Sequence, residues 1–301
     1  MDERSLALDG DLPFGARRLP ASLERFRSFA NRLGADPLSR RFASIARRSL
    51  IVGRRDPFDV DVFDSCRARL YPRTNRCERR VFLGVNSWDP AEREAIRAEL
   101  YATAGQDPFV FVDCGANVGL YGLFVASEAL RCGREVQLVS IEPDPINLSR
   151  LRFNLVASGV KDAQVFGCAL GQYERIGRLL STQSNRGEVR LARDGEDARG
   201  AVDVPVRTLP SILREAGTDR VDVMKLDIEG AEHAALSALF SSAPQSVWPS
   251  MIVLEIGKRR LRLDAYQLCS EYGYDLALRT RVNVILRRSR AADLNSDTEH
   301  R

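Results

Sequence analysis

The chain has 301 residues, 44% of them hydrophobic, and a formal net charge of +4, which describes a globular protein able to bury a sizeable core. No uninterrupted apolar run approaches the roughly 18 residues of a membrane helix, and Met1-Asp2-Glu3-Arg4 leads into no apolar block, so neither a transmembrane segment nor a signal peptide is expected and a cytoplasmic location is. Six cysteines without a Cys-x-x-Cys pair and only two histidines, His233 and His300, disfavour a disulfide framework, a His-based metal centre and a Ser-His-Asp triad.

Residues 1 to about 20 carry Gly10, Pro13, Gly15 and Pro20 without periodicity and read as a flexible lead-in. Over residues 21–33, Leu23, Phe26, Ala30 and Leu33 recur at helical spacing between arginines, and a second helix is expected over 37–50. Between residues 17 and 55 eleven arginines stand against only Glu24 and Asp36, so this is a distinct basic region. The expected arrangement is a helix pair packed on its own domain with a solvated basic face, weak peripheral membrane contact being the alternative. Nucleic acid is not the expected partner, because the aromatics Phe26, Phe29 and Phe42 are better used in packing. Val60-Asp61-Val62-Phe63 and Arg67-Ala68-Arg69-Leu70-Tyr71 alternate and suggest a two-stranded ribbon turning near Asp64-Ser65. Asp89-Pro90-Ala91-Glu92 then caps a helix that runs to about Leu100. Residues 1–105 thus form a helical segment with a short β-ribbon, able to cover a pocket but with no catalytic residue of its own.

The next stretch, Phe109-Val110-Phe111-Val112-Asp113-Cys114-Gly115-Ala116-Asn117-Val118-Gly119-Leu120-Tyr121, begins as a strand buried on both faces and breaks at Gly115 and Gly119. It resumes as a buried helix. Strand, glycine turn and helix are the parts of a nucleotide-type pocket, because glycine lets backbone approach a ligand and free amides at the helix start face it. The Gly-x-Asn-x-Gly spacing lacks the third glycine of a pyrophosphate fingerprint, which favours a ligand without a pyrophosphate. The following strand, 136–143, carries Glu142 at its end, which a parallel sheet sets beside the turn, where a carboxylate can accept both hydroxyls of a ribose. Asp113 is placed to take an ammonium group or an ordered water.

A crossover helix over 145–156, with Leu148, Leu151 and Leu155 on one face, precedes a third strand over 164–170. Strands joined by helices make a doubly wound parallel sheet the economical architecture. Short strands near 177–180, 188–191 and 202–206 read as an insertion at the ligand edge, a sensible place to choose a substrate. The parallel pattern resumes with a strand over 221–227 and a helix over 231–240. A fifth strand over 251–256, a helix over 265–272 and a closing hairpin over 274–278 and 282–286 follow. A core domain over 106–290 and a polar, disordered tail over 291–301 complete the expected organisation.

Five blocks taken together, Phe-Val-Asp-Cys-Gly-Ala-Asn-Val-Gly (111–119), Ile-Glu-Pro-Asp-Pro (141–145), Cys-Ala-Leu-Gly (168–171), Lys-Leu-Asp-Ile-Glu-Gly-Ala-Glu (225–232) and Ile-Val-Leu-Glu-Ile (252–256), resemble the FkbM family of S-adenosylmethionine-dependent methyltransferases over about residues 106–288. The resemblance implies a Rossmann-like class I methyltransferase sheet of seven strands with the last antiparallel. It also implies S-adenosylmethionine as cofactor, held by Asp113, Gly115, Ala116, Asn117, Gly119, Glu142 and Ala169, and usually O-methylation of sugars or small natural products. One departure is Pro210-Ser211 after Arg207-Thr208-Leu209, where the family commonly carries acidic residues; it bears only on a local cap.

Lys225, Asp227, Glu229 and Glu232 gather at the end of the fourth strand and are the expected catalytic set. A carboxylate near a sulfonium can steady that cation and accept the proton of an attacking hydroxyl. The same acids could bind a divalent cation or merely complement a helix N-terminus, and no dedicated metal site is assigned. His233 is more at home as a surface or packing residue than as a base. The reading is therefore an O-methyltransferase acting on a sugar, glycan or small hydroxylated natural product. RNA ribose methylation and a non-catalytic S-adenosylmethionine-binding module are the alternatives, and the oligomeric state has no sequence signal.

Overall fold

Residues 12–32, 37–103, 105, 108–182, 185–193, 195–257 and 263–289 are described by the computed structural model. Helices α1 (Ala21–Arg32) and α2 (Pro37–Ile51) lead into a ribbon of β1 (Phe58–Val62) and β2 (Cys66–Leu70), followed by α3 (Arg76–Leu83) and α4 (Pro90–Ala102). The central part runs β3 (Phe109–Cys114), α5 (Leu120–Cys132), β4 (Val136–Ile141), α6 (Pro145–Ala157) and β5 (Gln164–Phe166). A second group comprises β6 (Ala169–Leu170), β7 (Arg175–Thr182), β8 (Asn185–Leu191), β9 (Val202–Arg207) and α7 (Leu209–Glu215). The chain then completes the sheet with β10 (Val223–Leu226), α8 (Glu232–Ser242), β11 (Met251–Glu255), α9 (Leu263–Glu271), β12 (Tyr274–Arg279) and β13 (Asn283–Arg288).

Seven strands pair in the order β12-β13-β11-β10-β3-β4-β5. From β11 to β5 all neighbours are parallel, while β13 runs antiparallel between β11 and β12. This is the α/β sheet that the resemblance implies. Strand alternation divides the core: Phe109, Phe111 and Val223 face α5 and the N-terminal elements, whereas Val112, Cys114, Met224 and Leu226 face α7 and α8. The first cluster runs without a break from Leu50, Phe58 and Phe82 to Phe111 and Ile285, so the N-terminal helices and ribbon share the core of the main sheet.

Four expectations are corrected. Residues 12–20 are tied down rather than loose: Gly15 and Arg17 donate their amides to Asp59 Oδ2 at 2.7 and 3.1 Å, and Arg69, directly opposite Asp59 in the ribbon, donates to the carbonyls of Leu12 and Pro13. The expected third strand is two, because Gly167 lies against Leu148 of α6 and the chain there leaves the large sheet; β6 joins β9, β7 and β8 in a separate four-stranded sheet. Helix α3 has no counterpart in the sequence reading, although Asn75 caps it by accepting from the amides of Cys77 and Glu78. Asp89 does not cap α4; it adopts a left-handed conformation and makes no capping bond. At the Pro210 departure a cap is present after all, Thr208 accepting from the Ser211 amide at 3.3 Å. The expected tail over 291–301 lies outside the described residues.

Candidate active site

The sheet positions the site at the C-terminal ends of β3, β4 and β10, the usual ligand edge of an open α/β sheet. Beyond β3 the chain turns through Gly115 at φ 81° and Asn117 at φ 52°, and reaches Gly119 at φ 85°, the N-cap of α5. A Cβ on Gly115 would lie 2.0 Å from the Asp227 carbonyl oxygen, and one on Gly119 would lie 2.5 Å from Leu151 Cδ1. Gly115 is therefore required by close packing on the backbone at the end of β10 as well as by its positive φ, whereas at Gly119, which meets only the end of a Leu151 side chain, the positive φ carries the requirement.

Asn117 links the turn to the neighbouring strand. Its amide donates to Glu142 Oε2 at 2.8 Å, and Glu142 Oε1 accepts from the Asp144 amide at 2.9 Å. Burial raises the Glu142 carboxyl to about 8 despite these two amides. Asp113 sits directly opposite Lys225 in the β3–β10 register and is 1% exposed. Neither of its carboxylate oxygens has a hydrogen-bond partner, and burial pushes it up to about 6, Lys225 pulling the other way. Lys225 donates to Asp227 Oδ2 at 3.1 Å, and its ammonium lies 4.9 Å from the centre of the Tyr121 ring. Burial opposes the Lys225 charge, but Asp227, Asp113 and Glu255 outweigh it and hold the ammonium above its ordinary value.

Asn117, Tyr121, Glu142, Lys225 and Asp227 open onto one cavity. Of the expected residues, Gly115, Ala116, Asn117, Glu142, Ala169, Lys225, Asp227 and Glu229 line it. Asp113, Gly119 and Glu232 do not: Asp113 lies beneath the turn and Gly119 is packed on Leu151. Glu232, 1% exposed, accepts from the amides of Ile228 and Gly230 at 3.1 and 2.9 Å, so its carboxylate holds the turn after β10 instead of facing the cavity. Glu229 is at φ 53° within that turn. The carboxylates of Asp227, Glu229 and Glu255 converge to within 4.8 Å of one another. His233 is exposed on α8 and is not among the lining residues.

The sequence led us to expect that residues 1–105 could cover a pocket, but it named none of the residues that form the wall there. Cys77, Trp88 and Asp89 line the cavity together with Tyr121. Asp89 accepts from the Tyr121 hydroxyl at 3.1 Å and pairs with Arg80 at 3.0 Å, while Trp88 packs on Tyr121 at 4.6 Å between ring centres. Of the four non-glycine residues at positive φ among the described residues, Asp89, Asn117 and Glu229 line this cavity, which is where backbone strain tends to gather. The only signal for Asp89 was Asp-Pro, and that reads as a helix cap. Leu179, Val189 and Arg190 of the small sheet close another side.

The profile of the Methyltransferase FkbM domain matches residues 113–276, more than half of the chain. The chain belongs to the FkbM methyltransferase family. Curated relatives of this FkbM protein include the AMB antimetabolite synthetase AmbE of Pseudomonas aeruginosa, 27% identical over 65% of this chain and 11% of that protein. Methyltransferase sdnD of Sordaria araneosa is 29% identical over 46% of this chain and 62% of its own length. Methyltransferase 1 of Beauveria bassiana is 24% identical over 44% and 59%. The chain thus spans less than two thirds of each of these relatives. A solved SAM-dependent methyltransferase from Agrobacterium tumefaciens aligns over 79% of this chain and 72% of its own at a TM-score of 0.44 and 10% identity, too loose a likeness to bear on function.

The family's cofactor is S-adenosylmethionine, and the FkbM site fits it. The Glu142 carboxylate on the cavity wall has the chemistry to accept ribose hydroxyls, and the Gly115–Gly119 turn beside it is one glycine short of a pyrophosphate fingerprint, as suits a cofactor without a pyrophosphate. Among the described residues no helix is long and apolar enough to cross a membrane.

Proposed function

We propose that this FkbM-family protein methylates a hydroxyl group of a small natural product, sugar or glycan. The observation that supports it most is the Lys225–Asp227 pair on the cavity wall, with Lys225 buried and the Asp227 side chain 38% exposed. S-adenosylmethionine supplies a methyl group on a positively charged sulfonium. Glu142 would hold the ribose through its carboxylate, and the turn around Ala116 and Asn117 would carry the rest of the cofactor's polar groups, with Ala169 against its base. Asp227 Oδ accepts the proton of the acceptor hydroxyl, and Lys225, fixed between Asp227, Asp113 and the Tyr121 ring, orients that carboxylate. Glu229 would face the acceptor from the same turn.

Residues 106–290 would act as the cofactor domain and residues 1–105 as the segment that closes the acceptor side through Trp88 and Asp89. An antimetabolite synthetase among the relatives accords with a natural-product acceptor. Calorimetry with S-adenosylhomocysteine and with NAD, followed by assay of S-adenosylhomocysteine release over a panel of hydroxylated metabolites and glycans, tests the proposal. Binding of NAD alone would overturn it, and so would methylation confined to amine or carboxylate acceptors.

A further inference from the structure

Helix α2 uses one face and leaves another. Ala46 and Leu50 are buried in the core it shares with the sheet. On the adjoining side, about a quarter turn round the helix, Leu38, Phe42 and Ile45, with Val52 just past the end of the helix, are 76, 38, 63 and 68% exposed. Residues 38, 45 and 52 are seven apart and 42 falls between them, so they make one stripe along the helix. Phe29 of α1, 57% exposed, extends it by meeting the Phe42 ring edge-on at 6.3 Å. Single exposed apolar side chains are ordinary, but a continuous stripe marks an interaction surface. Exposed arginines Arg25, Arg41, Arg48 and Arg55 accompany it, in the region where eleven arginines stand against two acids. The solvated face is thus apolar as well as basic, where the sequence reading expected a basic one.

We propose that the α1–α2 pair seats the protein on an anionic lipid surface, with the stripe entering the headgroup boundary and the arginines reaching the phosphates. The chemistry is complementary on both counts: aliphatic and phenyl groups for acyl chains, guanidinium groups for anionic headgroups. The stripe is a ridge on a helix, which suits a deformable planar surface. The pair is also held firmly enough to present it, since Arg27 is buried and donates to the Phe82 carbonyl at 3.0 Å while pairing with Glu24. An RNA would find only Phe29 and Phe42 to stack on, and Leu38, Ile45 and Val52 offer nothing to a base. A second copy docked about a two-fold axis would set arginines against arginines.

The test is co-sedimentation of the full chain with vesicles of phosphatidylcholine alone and of phosphatidylcholine mixed with phosphatidylserine, at low and high salt. The variants are Ile45→Glu/Val52→Glu and Arg41→Glu/Arg48→Glu, and S-adenosylhomocysteine binding reports their folding. Wild type should partition onto the anionic vesicles at least about tenfold better than onto neutral ones, and each double variant should lose about tenfold or more with cofactor binding unchanged. Failure of wild type to sediment with anionic vesicles overturns the proposal, as does full retention of lipid binding by Ile45→Glu/Val52→Glu. Self-association, RNA binding or binding to an acidic protein that this variant abolishes, without lipid binding by wild type, assigns the face to that partner instead.

Discussion

The Asn75 side-chain amide donates to Asn117 Oδ1 at 2.8 Å while its own oxygen accepts from the amides of Cys77 and Glu78. One fully buried side chain therefore joins the first turn of α3 to the left-handed residue of the glycine turn, and Asn117 in turn donates to Glu142. The N-terminal segment is thereby joined to the glycine turn and to the end of β4 by a chain of three residues.

Two substitutions separate the roles of Asn75. Asn75→Ala removes the helix cap and the bond to Asn117, and should cost about 1–3 kcal/mol of stability. Asn75→Asp keeps the cap but cannot donate to Asn117, so it should weaken S-adenosylhomocysteine binding while leaving most of the stability in place. Urea denaturation and calorimetry read the two quantities. Wild-type cofactor affinity in Asn75→Asp would mean that Asn117 holds its conformation unaided.

Glu142→Ala should weaken cofactor binding by about 1–3 kcal/mol, the cost of leaving buried hydrogen-bonding groups without their partner. An unchanged dissociation constant would move the ribose elsewhere in the cavity.

The pH dependence of stability follows from the same burial. Glu142, Glu78, Asp113 and Asp56 are raised to about 8, 7, 6 and 6 from ordinary values of 4.5, 4.5, 3.8 and 3.8, in each case chiefly by desolvation. A carboxyl raised on folding contributes stability that is complete below its unfolded value and is lost as pH rises through its folded one. The cofactor-free protein should thus lose stability between about pH 4 and pH 8, and Glu142→Gln should flatten the upper part of that slope. Urea midpoints that rise steadily with pH over this interval would contradict the assignment.

For the chemistry, Asp227→Asn should lower turnover about a hundredfold or more, as expected for loss of a general base, with much less effect on cofactor affinity. Lys225→Met leaves the carboxylate unoriented and takes the nearest cation from buried Asp113, so it should reduce both turnover and stability. Wild-type turnover in Asp227→Asn would remove Asp227 from the mechanism.

Glu229 and Glu232 should behave differently although both were expected in the catalytic set. Glu229→Gln alters a cavity wall and should reduce turnover, whereas Glu232→Gln keeps an oxygen for only one of the Ile228 and Gly230 amides and sets an NH2 group against the other, so it should act mainly through the position of that turn. Chelators should leave activity intact. If they abolish it, the converging carboxylates of Asp227, Glu229 and Glu255 are holding a cation.

The sheet was legible from the sequence because its signals are local. A strand buried on both faces shows as an apolar run, a helix as a 3.6-residue period, and glycines mark the turn between them, so the order of elements, the Gly115–Gly119 turn and the strand-end positions of Glu142 and Asp227 could all be read in advance. What only the tertiary structure decided depends on contacts between segments far apart in the chain. Asp89 looks like a helix cap and Asn75 carried no signal at all, and nothing local tells that their side chains meet Tyr121 and Asn117. Glu229 and Glu232 are equivalent as acids three residues apart, until the turn at Gly230 directs one carboxylate to the cavity and the other to backbone amides. The stripe on α2 was hidden for the same reason: its sequence holds apolar residues on two faces, and only the packing of Ala46 and Leu50 against the sheet determines which of them is left to solvent.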